Sequence, residues 1–143
     1  MRRALMLIAL LAVSGALLSQ TVGTDTVYSI EKPTKELFYR FCNENSILYP
    51  EVVWAQARHE TGNFTSSIYK KKKNCLGLYD SYKKRYMSFS HWTDCLIAYR
   101  DKLQYRYTGV PDDTETYLSW LTEIGYAEDP EYITRIKNIM MKP

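Results

Sequence analysis

Hydrophobic positions recur at helical spacing over most of this chain. Leu37, Phe38, Phe41 and Cys42 predict a first helix between about Pro33 and Ile47. Pro50 suits the first turn of a second helix, where its missing amide hydrogen would go unused. Val53, Ala57 and Glu60 share a face of that helix, and Gly62 stops it. Farther on, Ser90 is a candidate cap for a long helix, with Trp92, Leu96, Tyr99 and Leu103 as its apolar stripe. Thr108-Gly109-Val110-Pro111 breaks that pattern. Tyr117, Leu118, Leu121 and Ile124 then mark a helix ending at Gly125. Asp129-Pro130 offers a cap and first-turn proline for a last helix with Ile133, Ile136 and Met140 turned inward. Only Tyr79 to Phe89 leaves room for a short hairpin. The predicted class is therefore mainly α, a helical domain with at most a very short β-hairpin.

The first residues stand apart from this pattern. Met1-Arg2-Arg3 and the apolar run Ala4 to Val13 read as the charged and hydrophobic parts of an export signal. Small residues at Ser14-Gly15-Ala16 suit a signal peptidase, with cleavage expected between Ala16 and Gly23. The apolar run is shorter than the roughly 20 residues of a spanning helix, so no stable membrane insertion is expected after cleavage. The predicted division is a signal peptide over 1–22, a linker over 23–32 and one domain over 33–143, exported to a periplasmic or extracellular space.

Charge then excludes some partners. The formal net charge of +3 includes Arg2 and Arg3, so the chain without its leader stands at +1. Its basic excess is local, in Lys70 to Lys73 and Lys83-Lys84-Arg85. These clusters suit a solvated face or an anion-facing rim, and without a wider basic field nucleic acid is not an expected partner. Cys42, Cys75 and Cys95 are an odd set in an oxidising compartment and form no disulfide framework. No metal or other cofactor is expected: the cysteine spacing fits no zinc site, and His59-Glu60 meets Asn63 where a zinc-binding helix needs a second histidine.

Glu60 is the candidate with chemistry. It leaves the second helix on or beside the buried face, near a C-terminus whose partial negative charge disfavours an ionised carboxylate. Partial burial acts in the same direction, and a carboxylic acid held protonated near neutral pH is what a glycosidase needs to protonate a leaving oxygen. Taken alone, the same position also suits a carboxylate that closes the helix end on Arg58, Lys70 or a backbone amide.

Three segments in order carry a resemblance. Trp54-Ala55-Gln56-Ala57-Arg58-His59-Glu60-Thr61-Gly62, then Asn74-Cys75-Leu76-Gly77-Leu78, then Gly125-Tyr126-Ala127-Glu128-Asp129-Pro130-Glu131-Tyr132 resemble the glucosaminidase family, glycoside hydrolase family 73. The resemblance covers roughly Pro50 to Met141 and implies a lysozyme-like fold acting on the glycan strands of bacterial peptidoglycan. It places Glu60 on the family's catalytic acid and Tyr126 on a tyrosine that organises the reacting centre. Asn74 and Gly77 fall on the groove-lining turn, with Leu76 and Tyr79 beside them as substrate-binding candidates. Physical chemistry agrees with these roles: glycine lets backbone approach a sugar, asparagine can both donate to and accept from an acetamido group, and tyrosines stack on sugar rings. The resemblance also sets the turn beside the helix of Cys95, so Cys75 and Cys95 are expected to be neighbours, as a disulfide or as two buried thiols.

Two departures qualify the resemblance. Cys75-Leu76 stands where the family commonly has Leu-Phe, and between Glu60 and Asp94 the only acid is Asp80, so the lobe that often supplies a second carboxylate is nearly deleted. The expected mechanism is therefore substrate assistance by the 2-acetamido group, with Glu60 as the general acid, rather than a pair of carboxylates. A muramidase or lytic transglycosylase on the same fold, and a catalytically inactive wall-binding or assembly module, are the alternatives. A Cys-His peptidase fits poorly, since His91 reads as a surface residue in the first turn of the long helix.

Overall fold

The computed structural model describes residue 28 and residues 30–142, so the expected leader lies outside the described residues. Six α-helices follow in order among them: α1 Lys35–Glu44, α2 Pro50–Thr61, α3 Ser67–Lys72, α4 Trp92–Lys102, α5 Thr114–Glu123 and α6 Tyr132–Met140. A 3-10 turn, Gln104–Arg106, follows α4. Between α3 and α4 lies one antiparallel hairpin, β1 Tyr79–Asp80 and β2 Arg85–Tyr86, with Tyr79 opposite Tyr86 and Asp80 opposite Arg85. The chain is thus mainly α with a very short hairpin, as its periodicity predicts. No described helix is long and apolar enough to cross a membrane.

Helix α2 is central. Val53 and Ala57 pack into a core with Phe38, Leu76, Trp92 and Leu96, whereas Val52 and Ala55 pack into a second one with Tyr117, Leu118, Leu121 and Ile136. A helix covered on both sides is apolar nearly all round rather than striped. Its end is closed by a clamp. Gly62, Asn63 and Phe64 all adopt left-handed backbone, and the Asn63 N–H returns to the Arg58 carbonyl at 2.8 Å, a Schellman-type closure. The buried Thr61 hydroxyl donates to the Ala57 carbonyl (2.6 Å) and accepts from the Phe64 N–H (2.7 Å). Phe64 thereby enters the core against Trp54 and Tyr69. The last turn of α2, which carries Glu60, is consequently held from two directions.

Two boundaries differ from expectation, and the short helix α3 was not expected at all. Helix α4 is capped by His91 rather than Ser90: the His91 ring accepts from the Thr93 N–H while Asp94 accepts from the His91 N–H at 3.1 Å. His91 is therefore not in the first turn but immediately before it. Asp129 caps only a preceding turn, accepting from the Glu131 N–H at 2.9 Å, so α6 begins at Tyr132. The described part of the expected linker or arm is docked. The Ile30 carbonyl accepts from the Trp92 indole N–H (2.8 Å), the Glu31 carbonyl accepts from the Tyr69 hydroxyl (2.6 Å), and Tyr28 packs edge-on against Phe41 and Trp92. These contacts satisfy donors that the buried aromatic side chains could not otherwise pair.

Candidate active site

The end of α2, the turn at Asn74 to Leu78, the hairpin and the segment Ile124 to Ala127 surround a cleft of about 470 Å³. Glu60 lines it with Leu76, Gly77, Tyr79, Tyr86 and Tyr126. Lys102 and Arg106, from the end of α4 and the 3-10 turn, line it as well and form no ion pair among the described residues. Glu60 is the one carboxylate among the described residues lining this cleft.

The Glu60 side chain opens to solvent, yet it sits against the glycine of the turn. Gly77 has φ of +63°, and a β-carbon there would stand 3.0 Å from Glu60 Oε2. A side chain at this position would strain the backbone and push the carboxylate aside by a few tenths of an ångström, and glycine avoids both. Burial by the surrounding walls pushes the Glu60 carboxyl above its ordinary value, while the Tyr132 hydroxyl and the nearby His59 pull the other way. No ion pair joins Glu60 to Arg58 or Lys70 among the described residues, so the carboxylate does not close the helix end through either.

Tyr126 is turned into the same wall. Its hydroxyl donates to the Leu76 carbonyl at 2.7 Å, and burial pushes it well above the ordinary phenol value. This bond ties the segment after α5 to the turn that carries Gly77. With its proton taken up, Tyr126 can offer a sugar its ring and the lone pairs of its oxygen.

Asn74 requires a correction. It is buried rather than groove-lining: its amide donates to the Leu78 and Met87 carbonyls (2.8 and 3.0 Å) and accepts from the Leu78 N–H (2.9 Å). Its bonding capacity is filled by holding the turn shut and stapling it to the hairpin, so nothing remains for an acetamido group. Asp80 is likewise absent from the cleft lining. Its Oδ1 accepts from the Tyr82 and Lys83 N–H groups, which closes the hairpin turn and holds its carboxyl below the usual carboxylate range. Cys75 and Cys95 are buried neighbours but free thiols, donating weakly to the Trp92 carbonyl and to Asn74. Among the described residues no cluster of histidine, cysteine and acid side chains could hold a metal ion.

Sequence reasoning passed over Gln56 and Tyr132. Gln56 is wholly buried four residues before Glu60, and its amide donates to the Tyr132 hydroxyl at 3.4 Å. A glutamine among the apolar positions of a central helix, four residues before the candidate acid, was the signal available.

A carboxyl group packed against a glycine turn in a tyrosine-lined cleft is an arrangement suited to a glycoside hydrolase. A sequence model of the glucosaminidase family, described as mannosyl-glycoprotein endo-beta-N-acetylglucosaminidase, matches residues 35–143, and the chain belongs to that family. A search of curated proteins gives no match.

Proposed function

We propose that this protein, exported to the cell-wall compartment, is an endo-β-N-acetylglucosaminidase that cuts the glycan strands of peptidoglycan with Glu60 as general acid and the substrate's 2-acetamido group as nucleophile. The observation that carries this reading is a solitary carboxylate among the described residues of the cleft: Glu60 lines it, and Asp80 is engaged in the hairpin turn outside it.

In the first step the protonated Glu60 gives its proton to the leaving glycosidic oxygen as the acetamido oxygen closes on the anomeric carbon, which yields a bicyclic oxazolinium and a new hydroxyl end. In the second, the Glu60 carboxylate takes a proton from water as that water attacks the same carbon, reopening the acetamide and restoring the acid. The Tyr126 oxygen is available to accept from the acetamide N–H and orient it. Lys102 and Arg106 favour a glycan that carries carboxylates, as peptidoglycan does through its lactyl and peptide groups, over a neutral mannosyl glycan.

Digestion of purified peptidoglycan by wild type and Glu60→Gln, with the new reducing ends identified, tests the reading. N-acetylglucosamine ends from wild type and none from the variant are expected. N-acetylmuramic or anhydro-muramic ends would assign a muramidase or lytic transglycosylase instead, and no release by folded wild type would assign a wall-binding module.

A further inference from the structure

A run of buried polar side chains crosses the helical core between Leu48 and the end of α2. The Gln104 amide oxygen accepts from the Leu48 N–H (3.0 Å), and the same amide donates to the Leu48 carbonyl (2.8 Å) and to the Tyr117 hydroxyl (2.8 Å). Tyr117 and Tyr99 share a bond of 2.9 Å, Tyr99 donates to the Gln56 amide oxygen (3.1 Å), and Gln56 donates to Tyr132. Gln56, Tyr99, Gln104 and Tyr117 are almost completely shielded from solvent, and no buried side-chain polar atom among the described residues lacks a partner.

The direction of this run is fixed at its far end. A backbone N–H can only donate and a carbonyl only accept, so the Leu48 peptide groups leave Gln104 with an N–H for Tyr117. Each hydroxyl has one proton. Tyr117, accepting from Gln104, gives its proton to Tyr99; Tyr99 gives its own to Gln56; and Gln56 presents an N–H to Tyr132. The reverse order would turn the Tyr117 proton toward the Gln104 NH₂, which cannot accept, and would strand a buried hydroxyl. Tyr132 has therefore accepted, and its own proton is free to point onward. Glu60 lies one turn beyond Gln56 on α2 and is one neighbour of that hydroxyl; the other is Tyr126, its ring centroid 5.6 Å from that of Tyr132 and its own proton given to the Leu76 carbonyl.

We propose that Tyr132 is a positioning residue for Glu60, holding the carboxylate with a hydroxyl proton whose direction is set by a one-way hydrogen-bond chain anchored at the Leu48 backbone. The proposal deepens the catalytic reading of Glu60, on which it rests, by naming what orients the acid and how strongly the ionised form is favoured. Other titratable or charged groups around the carboxylate are His59 on its own helix, Tyr126, Tyr79 and Tyr86 of the walls, and Lys102 and Arg106. His59 and Tyr126 also pack ring to ring on Tyr132, at 5.4 and 5.6 Å between centroids, and Tyr→Phe changes keep these contacts while removing only the hydroxyl.

The test follows the Glu60 carboxyl carbon by NMR titration in glutamate-labelled protein, with Glu60→Gln assigning the signal. Tyr132→Phe should move the Glu60 midpoint to higher pH, because the ionised form loses a donor. Tyr99→Phe, which keeps its edge-on ring contact with the cleft-lining Tyr126, should do the same, since Gln56 is then free to turn its oxygen toward Tyr132 and capture the proton. Tyr49→Phe, stacked on Tyr117 at 4.3 Å but outside the chain, should leave the midpoint in place. Folded Tyr99→Phe and Tyr117→Phe titrating as wild type would overturn the proposal. If neither folds, hydrogen exchange in wild type decides: slow hydroxyl protons on Tyr99 and Tyr117 support the chain, and rapid exchange overturns it. These readouts need no turnover, so an active Glu60→Gln would remove the catalytic reading while leaving the chain standing.

Discussion

Gly77 and Glu60 are in contact across the cleft wall, the glycine backbone lying where a β-carbon would stand 3.0 Å from the carboxylate. Gly77→Ala should therefore suffer twice. Left-handed backbone costs a residue with a side chain about 1–2 kcal/mol, and the added methyl must also displace the acid. Gly62→Ala shares the first penalty, with φ of +55° and an ordinary 3.7 Å contact, but not the second. Chemical denaturation should show comparable losses of stability, while glycan release falls much further in Gly77→Ala. Equal activity in the two variants would mean that the contact has no catalytic consequence.

Glu60→Gln should make the fold more stable at neutral pH. Its carboxyl is raised by burial, so between the unfolded and folded titration ranges the native state binds more protons, and stability falls as pH rises through that window. The amide carries no charge to desolvate. Thermal unfolding should show the variant ahead of wild type above the window, with the gap closing as the medium becomes acid. A gap that widens in acid would reverse the assigned shift.

Asp80→Asn should alter the hairpin more than the chemistry. The folded carboxyl is depressed, chiefly by the Lys83 N–H, so its contribution is present above the unfolded value and lost as pH falls through the folded one. Protection of the Tyr82 and Lys83 amides, taken relative to the intrinsic exchange rate at each pH, should fall in acid for wild type and stay flat with pH in the variant. Turnover is expected to stay within a few-fold of wild type, whereas loss of a genuine partner carboxylate would cost orders of magnitude. A collapse of that size would restore a two-carboxylate mechanism.

Tyr126→Phe removes the bond that ties the late segment to the Leu76 carbonyl, together with the oxygen available to an acetamide N–H. Its loss should appear in kcat more than in KM, because orientation matters most in the transition state. A glycan de-N-acetylated at the reacting sugar should bind and resist cleavage. Efficient hydrolysis of that glycan would rule out substrate assistance.

Thr61→Val tests the clamp that ends α2. Valine keeps the shape but leaves the Phe64 N–H without its acceptor in a buried turn, at a cost of about 1–3 kcal/mol. Thr61→Ser, which retains the hydroxyl, should cost less. Urea unfolding of the pair gives the comparison, and a Thr61→Val variant no less stable than Thr61→Ser would mean that the hydroxyl bonds contribute no more than the methyl group.

Much of this architecture is legible in residue order because it rests on local causes. Pro50 and Gly62 bracket α2 through their own backbone preferences, and the stripe from Trp92 to Tyr99 defines α4 through burial at helical spacing. Glu60 stood out for a similarly local reason, a carboxylate placed at an unfavourable helix end. His91 shows where local reading stops: its ring caps α4 in place of the more usual Ser90, and it also meets the Ile30 carbonyl from the docked arm. Asn74, Gln56 and Gln104 lie beyond it altogether. Side-chain amides look alike in sequence, and whether one faces a sugar or a buried carbonyl depends on partners 4 to 76 residues away. The sequence by itself determined the longer helices, the turn glycines and the place of Glu60 at a helix end, but not the short α3. Tertiary structure decided what the polar groups do, because a buried donor or acceptor must be paired, and its partners are brought together only when α2 is enclosed by the rest of the chain.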